Sequence, residues 1–558
     1  MKQECKKCEQ VFTLDSDDLN FYEKMKVPRP LVCPDCRFKM RALWRNEMTL
    51  YSGRKCDMCG KSIISMYNPK SPYIIYCYEC FYSDKWNPKD YFKEYDKSQL
   101  FFDQMGNFLK EVPKVNLGIS SSDGPNINSE YINMASSCKN CYLVFNGGIN
   151  EETMYSRGVR HSFDTSDCYF AERIEKCYES INIQQSAGVL WGQNIMSCVD
   201  SLFILNGSGL INCLGCVNLR NKSNCWFNGQ LNNEEFSKKI KEIRGSYKKT
   251  EETKKQFIEF CDTLPKKENN NLKTVNSTGD YLTECRNVFN SFEVASSENC
   301  KYIFSSKFIK DSLGTIGYGT KSELLLEVVA TGYSSNVIGS YWAENSNNIM
   351  YSFDIRNCQD CIGCDALKNG KYSIFNKEYS KEEYEDLKDH IIKELTESSV
   401  HGLMMPPEIA PFAYNESIAH DNFPMTKEEV LKAGFRWEDD IQKTEGKETM
   451  QPEDIPDHIK DVQNLITNEV LRCIDCNRNY KITEQELLFY RKMILPIPRK
   501  CFYCRHQDRI ARRGPYKFWD RKCAKCQKEI TTNYAPDRPE IVYCEKCYQL
   551  LSFCKMFK

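Results

Sequence analysis

Sixteen of the chain's 31 cysteines make up two groups of four CxxC pairs, one near each end of the sequence. The first group is Cys5/Cys8, Cys33/Cys36, Cys56/Cys59 and Cys77/Cys80; the second is Cys473/Cys476, Cys501/Cys504, Cys523/Cys526 and Cys544/Cys547. A CxxC turn offers two thiolates from one tight knuckle. Two knuckles complete the four soft ligands of a closed, tetrahedral Zn2+ site of the structural kind. Four such sites are expected. The gap from Cys8 to Cys33 equals that from Cys476 to Cys501, and the gap from Cys59 to Cys77 equals that from Cys526 to Cys544. The stretch between the second and third knuckles differs by one residue between the groups. Fixed gaps within a site and a variable gap between sites favour sequential pairing, Cys5/Cys8/Cys33/Cys36 and so on down each group. An interleaved, cross-brace pairing stays open.

More than the ligands recurs. Phe21-Tyr22-Glu23-Lys24-Met25 returns as Phe489-Tyr490-Arg491-Lys492-Met493, Pro28 and Pro30 as Pro496 and Pro498, and Cys36-Arg37 as Cys504-Arg505. This reads as duplication of a whole module, spanning residues 1–85 and 471–558. With Cys5, Cys8 and Cys33-Pro34-Asp35-Cys36-Arg37, and with Cys473, Cys476 and Cys501-Phe502-Tyr503-Cys504-Arg505, about forty residues of each module resemble the "probable zinc-ribbon" family of treble-clef-like domains. The resemblance implies zinc binding by those cysteines and transfers no activity. The longer arrangement resembles uncharacterised bacterial proteins with zinc ribbons around a repetitive middle.

Composition bounds the rest. Charged residues are 27% and hydrophobic ones 41% of 558 residues, ordinary for a soluble globular protein. No apolar run approaches the roughly 18 residues of a membrane span. MKQECKKCEQ has no apolar signal core, so a reducing cytoplasm is expected, where CxxC pairs bind metal and do not form disulfides. The net charge of −1 hides a polarity: residues 472–558 hold 20 Lys and Arg against 9 Asp and Glu. Arg499, Lys500, Arg505, Arg509, Arg512 and Arg513 precede Tyr516, Lys517, Phe518, Trp519, Arg521 and Lys522. Basic groups neutralise phosphates and rings stack on unpaired bases, so RNA or DNA is the expected partner of this end. The alternative is a cationic helix docked on the acidic remainder of the same chain.

The middle must position whatever the ends do. Residues 86–127 read as a helical, aromatic connector. Across 128–232 a triplet of small polar, Cys or aliphatic, and aromatic residues keeps returning, as in Asn140-Cys141-Tyr142 and Asp167-Cys168-Tyr169. A second copy, 281–379, has inward candidates Val288, Cys300, Leu313, Leu324, Val337, Ile349 and Cys361 at a period near twelve. The copies end alike, Cys213-Leu214-Gly215-Cys216 against Cys361-Ile362-Gly363-Cys364. Short strands with Asn, Ser, Gly and Asp at the corners suit a parallel β-solenoid in which about two units make one coil. The fold class is therefore multidomain: duplicated zinc-ribbon modules flanking a duplicated parallel β-solenoid with capping helices. The solenoid cysteines are expected as buried core. Strand alternation would put Cys358, Cys361 and Cys364 on opposite faces, against a shared metal. Residues 233–280 read as a helix interrupted near Gly245 and then a flexible linker from Lys266 to Gly279. Residues 380–400 read as a helix capped by Ser380 and Glu383, and 401–470 as a connector with a helix near Lys427–Lys432.

Catalytic motifs are missing: there is no GxGxxG after a strand, Walker A, HExxH or GxSxG. His161 beside Asp164 and Asp167 is better read as a surface histidine than as acid–base equipment. No enzymatic activity is expected. The reading is a zinc-binding scaffold or binding protein, with nucleic acid at its basic end. Alternatives are a protein-interaction platform on the solenoid surface or, by fold analogy alone, a carbohydrate-active enzyme there.

Overall fold

The computed structural model describes residues 1–119, 124–441 and 443–556, the last five without side chains. Each end module has the same element order. In the first, the hairpin Lys2–Glu4/Val11–Thr13 leads to helices Ser16–Lys24 and Pro34–Ala42, then to the hairpin Tyr51–Lys55/Ser62–Ser65, strand Ile75–Tyr76 and helix Tyr78–Phe81. In the second, Leu471–Arg472/Asn479–Tyr480 leads to Glu484–Met493 and Phe502–Arg513, then to Trp519–Lys522/Glu529–Thr532, Val542–Tyr543 and Glu545–Met556. Local chemistry explains the helix starts: Asp15/Asp18 and Thr483/Glu486 form capping boxes, and Pro34 takes the first helical position.

Between the modules lie two stacks of short parallel strands. Tyr169 pairs with Ile181, Ile181 with Gln193, and Gln193 with Leu205; further round, Ser166 pairs with Tyr178 and Ala187 with Val199. Every one of these steps is twelve residues, so one unit, not two, separates paired residues. The reason lies in the backbone. From Asn182 through Gln185, Gly188, Trp191, Asn194, Ser197, Asp200 and Phe203 to Asn206, every third residue has φ between 46° and 66°. A left-handed corner at each third position turns the chain four times in twelve residues, where the alternation of an ordinary strand would need a longer side.

A period of three also sets which side chains face inward. The interior of the first stack is Cys168, Ala171, Ile174, Cys177, Ile183, Val189, Ile195 and Cys198, all separated by multiples of three and all buried. Cys358, Cys361 and Cys364 follow the same rule in the second stack, so they share one interior. The expected burial is observed, but alternation is not its cause. Leu313 and Leu324 are not part of that interior; Leu313 belongs to, and Leu324 packs against, the apolar cluster that the stack shares with the N-terminal module. Left-handed backbone costs an L-residue roughly 1–2 kcal/mol and Asn least. The corners accordingly carry Asn ladders: the Nδ2 of Asn182 donates to Asn194 at 3.0 Å, Asn194 to Asn206 at 2.9 Å and Asn206 to Asn218 at 3.0 Å.

Sequence offsets recur between the stacks. Asn133 and Asp280, Cys138 and Cys285, and Phe145 and Phe292 are each 147 apart; Glu179 and Glu327, and Cys213 and Cys361, are 148 apart. One step accounts for the change: Ile309 pairs with Ser322, thirteen residues on. Helices Asn233–Ile243 and Tyr247–Asp262 follow the first stack, broken near Gly245 as expected, and Lys381–Glu397 with its Ser380/Glu383 box follows the second. The stretch expected as a linker is ordered: Lys266–Lys267 pairs with Val542–Tyr543, and Leu272 and Val275 bridge to Thr283 and Arg286. The connector holds its helix at Lys427–Lys432. Among the described residues no helix is long and apolar enough to cross a membrane.

Candidate metal centres and their docking surfaces

Each cysteine group is built from one hairpin knuckle and one helix start. Four residues after the first cysteine the chain takes a left-handed turn, at Glu9, Gly60, Asn477 and Gln527. The third cysteine then caps a helix: Cys33 before Pro34–Ala42, Cys77 before Tyr78–Phe81 and Cys501 before Phe502–Arg513. The positive end of a helix favours thiolate at such a position, but without a metal, burial pushes the Cys77 thiol up and the hydrogen bond with Cys473 pushes Cys501 up to about 12. Backbone N–H groups also point at the sulfurs: Cys33 donates to Cys5 Sγ at 3.2 Å, Cys77 to Cys56 Sγ at 3.2 Å and Cys544 to Cys523 Sγ at 3.3 Å.

The sulfurs gather in the sequential pairing. Cys5, Cys8, Cys33 and Cys36 form one group; Cys56, Cys59, Cys77 and Cys80 a second; Cys473, Cys476, Cys501 and Cys504 a third; Cys523, Cys526, Cys544 and Cys547 a fourth, with all sulfurs of a group within 4.8 Å of one another. Separations of 3.6 Å for Cys8–Cys33, 3.7 Å for Cys476–Cys501 and 3.7 Å for Cys526–Cys544 are close to the edge of a tetrahedron with metal–sulfur bonds of about 2.3 Å, roughly 3.8 Å. The donor set is four thiols with no water-accepting position, which fits a structural ion. A hydrogen bond from Cys36 pulls the Cys33 thiol down to about 5, and one from Cys501 holds Cys473 far below the usual thiol range, so thiolate is already favoured in both. Cys358, Cys361 and Cys364 belong to no such group among the described residues.

The helix that starts at the third cysteine does a second task. In the N-terminal module it carries Arg37 and Arg41, with Arg45 three residues past its end; in the C-terminal module it carries Arg505, Arg509 and Arg513. Spacing by four puts Arg37 and Arg41, and likewise Arg505, Arg509 and Arg513, on one helix face, and all six arginines are buried. Arg37 Nη1 donates to Glu327 Oε1 at 2.7 Å and to Tyr22 Oη at 2.9 Å, while Arg41 holds the other Glu327 oxygen. Arg505 Nε and Arg509 Nη1 donate to Asp167 Oδ1 at 3.0 and 2.8 Å. Arg509 also reaches Glu179 at 3.2 Å, Arg512 reaches Glu179 at 3.0 Å, and Arg513 donates to Tyr169 Oη at 2.8 Å. Burial alone would lower Arg505; Asp167 together with Tyr490, Tyr178 and Glu486 more than reverses that and raises it well above its usual range. The N-terminal module therefore docks on the second stack and the C-terminal module on the first. The modules themselves meet where Phe38 packs on Tyr516 at 4.8 Å between ring centres.

These contacts locate the residues expected to meet phosphates. Arg505, Arg509 and Arg513 face inward, and the contacts are those of a cationic helix docked on the acidic part of the same chain. Arg499 is buried too, donating to the carbonyls of Ile497 and Ile455 at 2.7 Å each. Lys500 pairs with Asp475 and Asp508, and Arg521 donates to the carbonyls of Ala535 and Glu540. Lys517, beside the Trp519 ring, and Lys522 are exposed. The His161 cluster is dispersed: His161 is exposed, Asp164 pairs with Lys492, and Asp167 serves the arginines. The sequence, read alone, puts Arg505, Arg509 and Arg512 or Arg513 on one helix face; Glu327, Glu179 and the recurrence of that spacing in the N-terminal module were missed. Arg37/Arg41/Arg45 matched to Arg505/Arg509/Arg513 was the available signal, since it repeats in both modules.

No protein-family model matches this chain, and none of the curated proteins matches it.

Proposed function

We propose that the protein is a zinc-bound binding scaffold. In this reading two parallel β-solenoids, each with one coil per twelve residues, are held side by side by two zinc-ribbon modules of treble-clef type. Both the modules and the solenoids arose by duplication, on the strength of the matched element order, the 147- and 148-residue correspondences and the resemblance of the knuckle sequences to zinc ribbons. The observation that carries the reading is the coupling of each closed four-cysteine group to a buried arginine helix: Cys36 precedes Arg37, and Cys504 precedes Arg505. An ion at such a site fixes the start of the helix, and the helix clamps a stack. The metal is structural, and the surface and cleft of the paired stacks are left to meet a ligand.

Elemental analysis of protein purified without added metal tests this. About four zinc ions per chain are expected from four closed sites. Two or fewer, or replacement of zinc by iron in every site, would overturn the assignment. Pull-down after nuclease treatment then separates a protein partner from a nucleic-acid one.

A further inference from the structure

The two stacks face each other across a cavity of about 230 Å³. Its walls come from both stacks, with Phe170, Glu172 and Gln184 on one side and Tyr281 and Ala295 on the other. Two cations look into it, Arg160 from the first stack and Lys307 from the second. They are 147 residues apart, the same offset that relates Cys138 to Cys285 and Phe145 to Phe292. Each stack thus brings a basic residue from the equivalent position to the same cavity. Both are half-buried. Neither side chain has a hydrogen bond or ion pair among the described residues, apart from the weak approach of Lys307 to the Phe308 ring at 5.9 Å.

This is unlike the treatment of cations elsewhere in the molecule, where Arg37, Arg41, Arg505 and Arg509 are all held by carboxylates. Two like charges in a partly dehydrated cleft repel and lose solvation. Glu172, one rung on from Arg160, offsets only one of them. Burial lowers the Lys307 ammonium, the Arg160 charge lowers it further, and Glu172 acts the other way. Glu293, the other acid of the cavity, already accepts from Tyr169 and lies near Arg513.

We propose that the cleft between the stacks is a binding site for a small oxyanion ligand, with Arg160 and Lys307 clamping its phosphate or carboxylate group. Gln184, on the next rung after Glu172, supplies an amide beside it, and Phe170 and Tyr281 supply flat apolar surface for the remainder of the ligand. The volume lies a little below the roughly 300 Å³ at which pockets for drug-sized ligands begin, which suits a small acid or a phosphorylated fragment.

The test is calorimetric titration of the metal-loaded 558-residue chain with sodium phosphate and, separately, sodium malonate, at ionic strength matched with sodium chloride. Saturable binding of about one anion per chain is expected for at least one probe. Phosphate alone would mark a phosphoryl ligand, malonate alone a carboxylate one, and both the shared clamp. Arg160→Gln and Lys307→Gln should each weaken binding by about tenfold or more, the loss of one charge-assisted contact. Lys307→Gln should in addition melt no lower than the parent in anion-free buffer, because it relieves repulsion. If Arg160→Gln does not fold, Lys307→Gln carries the test alone. Absence of saturable binding by either probe, or unchanged affinity in a folded variant, would overturn the proposal.

Discussion

In the N-terminal module Arg37 and Arg41 converge on one carboxylate, Glu327; in the C-terminal module Arg505, Arg509 and Arg512 share two, Asp167 and Glu179. The ligand frames are alike, and Glu179 and Glu327 are 148 residues apart, as Cys213 and Cys361 are, with Arg41 on Glu327 matching Arg509 on Glu179. The difference is Asp167, which has no acidic counterpart: the matching left-handed position, 147 residues later, is Gly314. A surplus of positive charge at one end of the sequence is thus matched by a surplus of buried acid on the stack it covers. Local charge density in a sequence reports how a surface is paired only after the fold has chosen the partner.

Metal removal should break the comparison most severely. Structural zinc contributes on the order of 10 kcal/mol to small domains. From the sequence, a chelator is expected to unfold the ends and leave the stacks intact. The structure changes that expectation, because the N-terminal module and the outer face of the second stack form one apolar cluster, including Phe38, Trp44, Phe304 and Phe353. Stripping the ions should therefore also lower the melting temperature of the stacks, read as early loss of far-ultraviolet β signal relative to holoprotein. A β signal that melts at the same temperature with and without chelator would separate modules from stacks after all.

Next in size are the carboxylates. Glu327→Gln leaves two buried guanidiniums without a counter-charge and is expected to cost about 3–5 kcal/mol in urea denaturation. Asp167→Asn should cost about half as much, because Arg509 keeps Glu179. Equal losses would mean that the two docking surfaces are energetically alike despite their different charge sharing. Tyr516→Ala, which empties the contact among Phe38, Phe292 and Phe304, should cost about 3 kcal/mol, at the low end for a buried aromatic, and should destabilise both modules together. The smallest effect belongs to Lys517→Ser with Lys522→Ser, within about 0.5 kcal/mol of the parent. If this end binds RNA or DNA, that double variant should lower the salt dependence of binding, whereas Arg505→Ser should unfold the docking surface. A loss of binding by Arg505→Ser with unchanged stability would restore the arginine helix as a phosphate-binding face.

The metal frame was legible because its ligands are close in sequence and their gaps repeat. Helices with capping boxes, such as Ser380 with Glu383, were legible for the same reason. The middle was legible as a period near twelve and misread in its geometry. Alternation assumes extended backbone, and nothing in a residue such as Trp191 or Phe203 announces a φ of 53°; that conformation is imposed by the rungs above and below. The docking pairs were out of reach, since Arg37 and Glu327 are 290 residues apart and either one alone reads as surface charge.

That separation has a consequence in time. A ribosome adds about 5–20 residues per second, so Arg37 waits roughly 15 to 60 s for Glu327 to be made. During synthesis the first module holds its metal-binding knuckles early and its arginine face unanswered. The last module meets no such delay, because Asp167 and Glu179 are long since in place when Arg505 emerges. Assembly thus closes in a crossed order, with the earliest part waiting on a late partner and the latest part completing an early one. A nascent chain stalled before residue 327 should be the most aggregation-prone form of this protein.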